Sequence, residues 1–245
     1  MPKKKSVNTP FYKVTNVIDI ILYVSFFAAI IMSIFLEKKQ LIYVLPIVII
    51  SLLFKYINLT KKKANPIFIC AILATLASDV LSFYCFEDCF GGIATLTSIY
   101  LICCAFTLKK YLHIEKLRSL PSISVMISIV LISYILFSIL KLLVYSIPDN
   151  HLFFVFLCAL SLIVYTITFA IVYLNDNYNN SPVLLASGLF TFFQVVLVSI
   201  NEFLYFNSTF TVLIIICHIM AIYLFMNFIV KTKVIKPENI KENFF

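Results

Sequence analysis

Residues 64–86 read ANPIFICAILATLASDVLSFYCF, and this stretch decides what kind of chain it belongs to. After Asn65-Pro66, one charged residue, Asp79, is all that interrupts the apolar run up to Phe86. A helix rises about 1.5 Å per residue, so about 20 such residues cross a hydrocarbon layer of ~30 Å. A helix on the surface of a soluble protein shows one apolar stripe. Here the polar residues, Thr75, Ser78, Asp79 and Ser82, share a single stripe, and apolar residues cover the rest of the circumference. Lys61-Lys62-Lys63 precedes the run and Glu87-Asp88 follows it, so charge marks both of its ends.

Working outward, the same pattern recurs. With 64–86 included, the runs are roughly 14–36, 41–59, 64–86, 90–108, 122–146, 151–174, 182–204 and 210–230. The breaks carry turn chemistry as well as charge: Glu37-Lys38-Lys39-Gln40, Lys116 to Pro121, Pro148-Asp149-Asn150, Asn175 to Pro182 and Asn207-Ser208-Thr209. The chain is 62% hydrophobic and 12% charged, against roughly 45–50% and 25% in ordinary globular proteins. The expected fold is therefore all-α, an integral membrane bundle of eight transmembrane helices. It forms a single domain over 1–245 with no soluble part. The first run is expected to stay in the protein, since no small-x-small cleavage site follows it before Glu37.

Composition also excludes chemistry. Three glycines, Gly91, Gly92 and Gly188, make neither a GxGxxG fingerprint nor a P-loop. There is no HExxH, CxxC or GxSxG, so no metal site, no cofactor and no serine-hydrolase elbow is expected. The net charge of +8 sits in short clusters between apolar runs, which argues against nucleic acid. It argues instead for the positive-inside rule. One side collects Lys3 to Lys5, Lys13, Lys61 to Lys63, Lys109, Lys110, Lys116, Arg118, Lys231, Lys233, Lys236 and Lys241. The other holds Lys38 and Lys39, then Glu87, Asp88, Asp149 and Glu202. Both termini are expected in the cytoplasm, although the inner segment 175–181 carries Asp176 and no cation. Asn65-Pro66 and Ser181-Pro182 open the third and seventh runs alike, setting Asp79 opposite Val195 and Ser78 opposite Gln194. That register is the one a 4+4 parallel repeat would show. Chance likeness between apolar runs is the competing explanation.

An ionisable group in hydrocarbon is costly and needs a reason to be there. Asp79 lies about 10 Å below the outer boundary at the helical rise. Gln194 on the seventh run and His218 on the eighth reach comparable depth. The expected site is a pocket opening outward, with Asp79 as the catalytic group. Gln194, His218, Ser78, Ser82, Thr191 and Lys141 are the expected substrate contacts. Plainer readings stand beside each. Asp79 can pair with Lys141 or accept from His218, Lys141 can snorkel to the surface, and hydroxyls and amides such as Ser187, Thr191, Gln194 and Asn201 can knit helices together. Asp19 and Lys55 read as interfacial. Most of the seven cysteines read as small apolar filler. Cys85 and Cys89 flank Glu87-Asp88 and can oxidise, though a four-residue spacing on a continuing helix suits a bridge poorly.

The stretch 67–106, IFICAILATLASDVLSFYCFEDCFGGIATLTSIYLICCAF, resembles the lysoplasmalogenase-like YhhN family of membrane proteins. Ser78-Asp79 fills the place of that family's small-residue-plus-Asp pair, and Phe90-Gly91-Gly92 that of its glycine-led fourth helix. Gly188-Leu189-Phe190 with Asn201-Glu202-Phe203 is similar to its seventh-helix frame. The resemblance implies hydrolysis of the vinyl ether bond of a lysoplasmalogen, releasing an aldehyde and a glycerophospho-base. It makes Asp79 the acid and implies a second Asp in the seventh helix, where this chain has Phe193-Gln194-Val195. Ser98 stands where some members carry His. The implied partner is a membrane lipid or lysolipid, in a multi-pass protein of a bacterial cytoplasmic membrane. The departure keeps a second class open, a non-catalytic protein that binds lipid or transports a small molecule. No feature of the sequence fixes an oligomeric state.

Overall fold

The computed structural model describes residues 10–112, 123–174 and 178–232. Lys3 to Lys5, Lys116, Arg118, Asp176, Lys233, Lys236 and Lys241, used above for orientation, lie outside the described residues. Every regular element described is helical: α1 (Pro10–Phe35), α2 (Leu45–Thr60), α3 (Pro66–Tyr84), α4 (Phe90–Leu108), α5 (Ile123–Ser146), α6 (Asp149–Leu174), α7 (Ser181–Phe203) and α8 (Ser208–Lys231). Short 3-10 turns cover Lys38–Tyr43, Lys61–Lys63 and Lys109–Tyr111. Among the described residues, seven segments are long and apolar enough to cross a membrane; within α5 the apolar stretch Val130–Tyr145 is shorter.

Local chemistry sets the helix ends. Asn65 Oδ1 accepts from the Ile67 amide at 3.0 Å, and Pro66 occupies the first turn of α3, where a missing N–H costs nothing. Asn207 caps α8 in the same way, accepting from the Thr209 amide at 2.8 Å. The second run, expected from residue 41, instead begins its helix at Leu45 with Pro46 in the first turn, and a 3-10 segment takes up Lys38–Tyr43. The sequence leaves the oxidation of Cys85 and Cys89 open, and the structure answers it. They form a disulfide, with their Cα atoms 5.6 Å apart. The spacing argument assumed a continuing helix, but α3 stops at Tyr84 and Cys85 leaves helical geometry at φ −151° and ψ 67°.

The two most extensive helix contacts are the hairpins α7–α8 and α3–α4, followed by α4–α6 and α1–α2. At the end bearing Lys61–Lys63 and Lys109-Lys110, aromatic rings fill the centre. Tyr56 meets Phe68 at 4.8 Å between centroids, Phe68 meets Phe225 at 5.4 Å, and Tyr111 meets Phe228 at 5.0 Å. Their polar tips are satisfied. Tyr56 Oη accepts from the Asn65 amide at 2.8 Å, and Tyr178 Oη donates to the Tyr111 carbonyl at 3.2 Å. Burial pushes the Tyr178 phenol up, which keeps it a neutral donor. Nearby, Lys55 pairs with Asp19 at 2.8 Å and lies 5.0 Å from the Tyr223 ring centroid. The perimeter is apolar: Ile20, Val24, Phe27, Phe137, Phe156 and Leu160 are all more than half exposed. Such a surface is stable against lipid tails and not against water.

Candidate functional site

At the end of the bundle opposite the aromatic plug lies a cavity of about 180 Å³ between α3, α4, α5, α6, α7 and α8. Its walls are mostly apolar, supplied by residues such as Ile93, Leu136, Leu140, Leu162, Val195 and Ile215. Its polar groups come from few places. Ser78, Asp79 and Ser82 project from α3, Thr97 from α4, Gln194, Ser199, Asn201 and Glu202 from α7, and Thr211 and His218 from α8; Lys38 comes from the α1–α2 connection.

The central contact joins α3 to α8. His218 Nε2 lies 2.9 Å from Asp79 Oδ2, with the two side chains 5% and 15% exposed. Of the two partners the sequence allows for Asp79, this is the one that forms. The buried His218 Nδ1 has no partner among the described residues. We assign the proton to Nε2, donating to the carboxylate, because that leaves only a lone pair unmet, whereas the other tautomer strands an N–H. Ser78 links the hairpin as it lines the cavity: its Oγ is 3.2 Å from Thr97 Oγ1 and 3.4 Å from the Ile93 carbonyl.

The remaining expected contacts divide. Gln194 and Ser82 line the cavity. Thr191 is buried but donates to the Ser187 carbonyl at 3.0 Å, and Ser187 donates to the Ala221 carbonyl at 2.7 Å, so this pair ties α7 to α8 away from the cavity wall. Lys141 lies exposed on the side of α5 and does not line the cavity.

Two residues that sequence reasoning set aside as surface charges belong to the site. Lys38 Nζ pairs with Glu202 Oε1 at 2.5 Å, with the side chains 22% and 13% exposed, and both line the cavity. The Lys38 ammonium also lies 4.9 Å from the centroid of the Phe86 ring. Phe86, Phe90 and Phe203 form a mutual cluster, with centroids 6.0, 5.7 and 5.3 Å apart. Asn201 holds the base of this rim. Its Oδ1 accepts from the Asn207 amide at 2.9 Å, while its amide nitrogen lies 3.4 Å from Thr211 Oγ1. A signal existed in the sequence, since Glu202 immediately follows the polar stripe of the seventh run.

Fold and site together define a helical integral membrane protein whose bundle holds a mostly apolar cavity with a few polar groups. No family model, no curated protein and no solved structure matches the chain.

Proposed function

We propose that the protein admits a lysolipid-type, single-chain amphiphile from the membrane and hydrolyses its vinyl ether bond, as the lysoplasmalogenase-like proteins that 67–106 resembles do. One observation carries the reading: a carboxyl–imidazole pair, Asp79 with His218, set inside a mostly apolar cavity. Such a pair holds a transferable proton where little water competes for it. One further proton, taken up by the pair at Asp79, makes it the acid: Asp79 delivers this H⁺ to the vinyl carbon distal to the ether oxygen, with His218 in support, and an oxocarbenium ion results. Gln194, on the cavity wall, positions the water that adds to this cation. The water's proton returns to the pair, and the hemiacetal collapses to an aldehyde and a free glycerol hydroxyl. Proton transfer by a positioned group is worth roughly 10²–10⁴ in rate.

A second reading has its own support. Gln194 and Val195 line the cavity where a second carboxyl would stabilise the cation, and an amide carries no negative charge. This favours a protein that binds lipid or transports a small molecule without chemistry. Aldehyde release from a synthetic lysoplasmalogen by the purified protein decides between them: release supports hydrolysis, and its absence leaves the binding reading. The same proposal includes the arrangement in the membrane, eight spans in a 4+4 repeat with both termini cytoplasmic.

A further inference from the structure

The rim of the cavity has a charge arrangement that hydrolysis alone does not require. Lys38, in the α1–α2 connection, and Glu202, in the last turn of α7, are 164 residues apart and meet at the cavity wall, each largely removed from water. The pair is neutral as a whole. A ligand bearing only an anion would draw Lys38 away and strand Glu202 without a partner. A ligand bearing only a cation would do the reverse, and a neutral ligand would leave the pair closed. Stranding one member of a largely buried pair is strongly unfavourable. Only a head group with both charges replaces one ion pair by two.

We propose that Lys38 and Glu202 form a head-group subsite that selects dipolar ligands, a phosphate with an ammonium, over anionic or neutral ones of equal chain length. The phosphate takes the Lys38 ammonium, and the ligand's ammonium takes the Glu202 carboxylate and the ring faces beside it. Phe86 already carries an ammonium on its face at 4.9 Å, that of Lys38 itself. Phe203 lies 5.7 Å from Phe86, which gives the position a second aromatic wall. This inference rests on the amphiphile reading above but not on the chemistry at Asp79.

The test is binding to the full-length protein in nanodiscs, using three saturated ether ligands of one chain length that carry no cleavable bond. They are 1-O-alkyl lysophosphocholine, the corresponding lysophosphatidic acid and the 1-O-alkylglycerol. The phosphocholine ligand is expected to bind about tenfold tighter than either of the others. Lys38→Met and Glu202→Gln are each expected to erase that preference while alkylglycerol binding stays unchanged, which also reports that the fold is intact. Phe86→Leu keeps the ion pair and serves where those variants fail to fold; it should cut phosphocholine-ligand affinity severalfold and leave alkylglycerol binding alone. Equal binding of the three ligands, or a preference untouched by all these variants, overturns the assignment. Free phosphocholine or inorganic phosphate displacing the lipid at equal concentration overturns its lipid part. Aldehyde release at equal rates from choline-headed and phosphate-headed lysoplasmalogens removes the subsite and leaves hydrolysis standing. Selective binding without aldehyde release does the opposite.

Discussion

Asp79→Asn keeps a hydrogen-bonding side chain opposite His218 and removes the acid, so it separates chemistry from helix packing. Under the hydrolase proposal, aldehyde release should fall by roughly 10²–10⁴, with the folded yield unchanged. Gln194→Asp or Val195→Asp should raise release by supplying the carboxylate that the oxocarbenium ion lacks. Retained polarity favours position 194, and the repeat register favours 195. An active protein indifferent to Asp79→Asn would mean that this carboxyl only joins helices. Gly188 tests packing instead. A Cβ there would lie 2.5 Å from Phe169 Cε1, so Gly188→Ala should cost about 1–3 kcal/mol of stability. Phe169→Leu in the same chain should recover most of it, read as the detergent-solubilised melting temperature. Asp79, Gln194 and His218 were legible because depth along a spanning helix can be counted from its ends. Lys38 and Glu202 were not, although Glu202 directly follows the polar stripe of the seventh run. Each reads as an ordinary charge at a helix boundary, and only the tertiary fold brings them together.

At the scale of elements, proline and asparagine made the starts of α3 and α8 readable, since Asn65, Pro66 and Asn207 each act through their own local geometry. What sequence patterning missed were interruptions that apolar residues disguise. Leu41 to Val44 look like more of the second span, yet Pro46 is tolerated only in a helix's first turn, which fixes where α2 begins. Cys85-Phe86 likewise continues the hydropathy of the third run while the backbone has already turned, and that turn is what lets Cys85 reach Cys89. The alternation of helices has a direct check. Cysteines introduced as Asn150→Cys and Asn179→Cys, in a protein free of other reactive thiols, should be labelled by an impermeant maleimide from opposite faces of the membrane. Labelling of both from one face would dismantle the proposed topology.

For the whole molecule, the ordinary arrangement of polarity is turned outward. Large apolar side chains cover the perimeter, while Ser78, Ser98, Ser187, Thr191, Asn201 and His218 are buried. Small hydroxyls serve this purpose well, because most donate back to a carbonyl one turn earlier, as Ser98 does to Ala94 at 2.8 Å, and so cross the bundle interior with their needs met. Composition foretold this inversion, since 62% apolar residues exceed what any soluble core can hide. It could not foretell which end of the bundle would be hollow.

That asymmetry sets a rule of traffic. Tyr56, Phe68 and Phe225, with Tyr111 against Phe228 beside them, fill the lysine-rich half like a floor, so a molecule in the cavity is expected to leave by the way it entered. Departing molecules then queue with arriving ones at the same doorway. For a hydrolase this means a long-chain aldehyde added at the start should slow turnover as a competitor, raising KM with kcat little changed. For liposomes holding the protein it means no net passage of the amphiphile from one leaflet to the other. A labelled lysolipid that crosses on the timescale of binding would show that the floor opens.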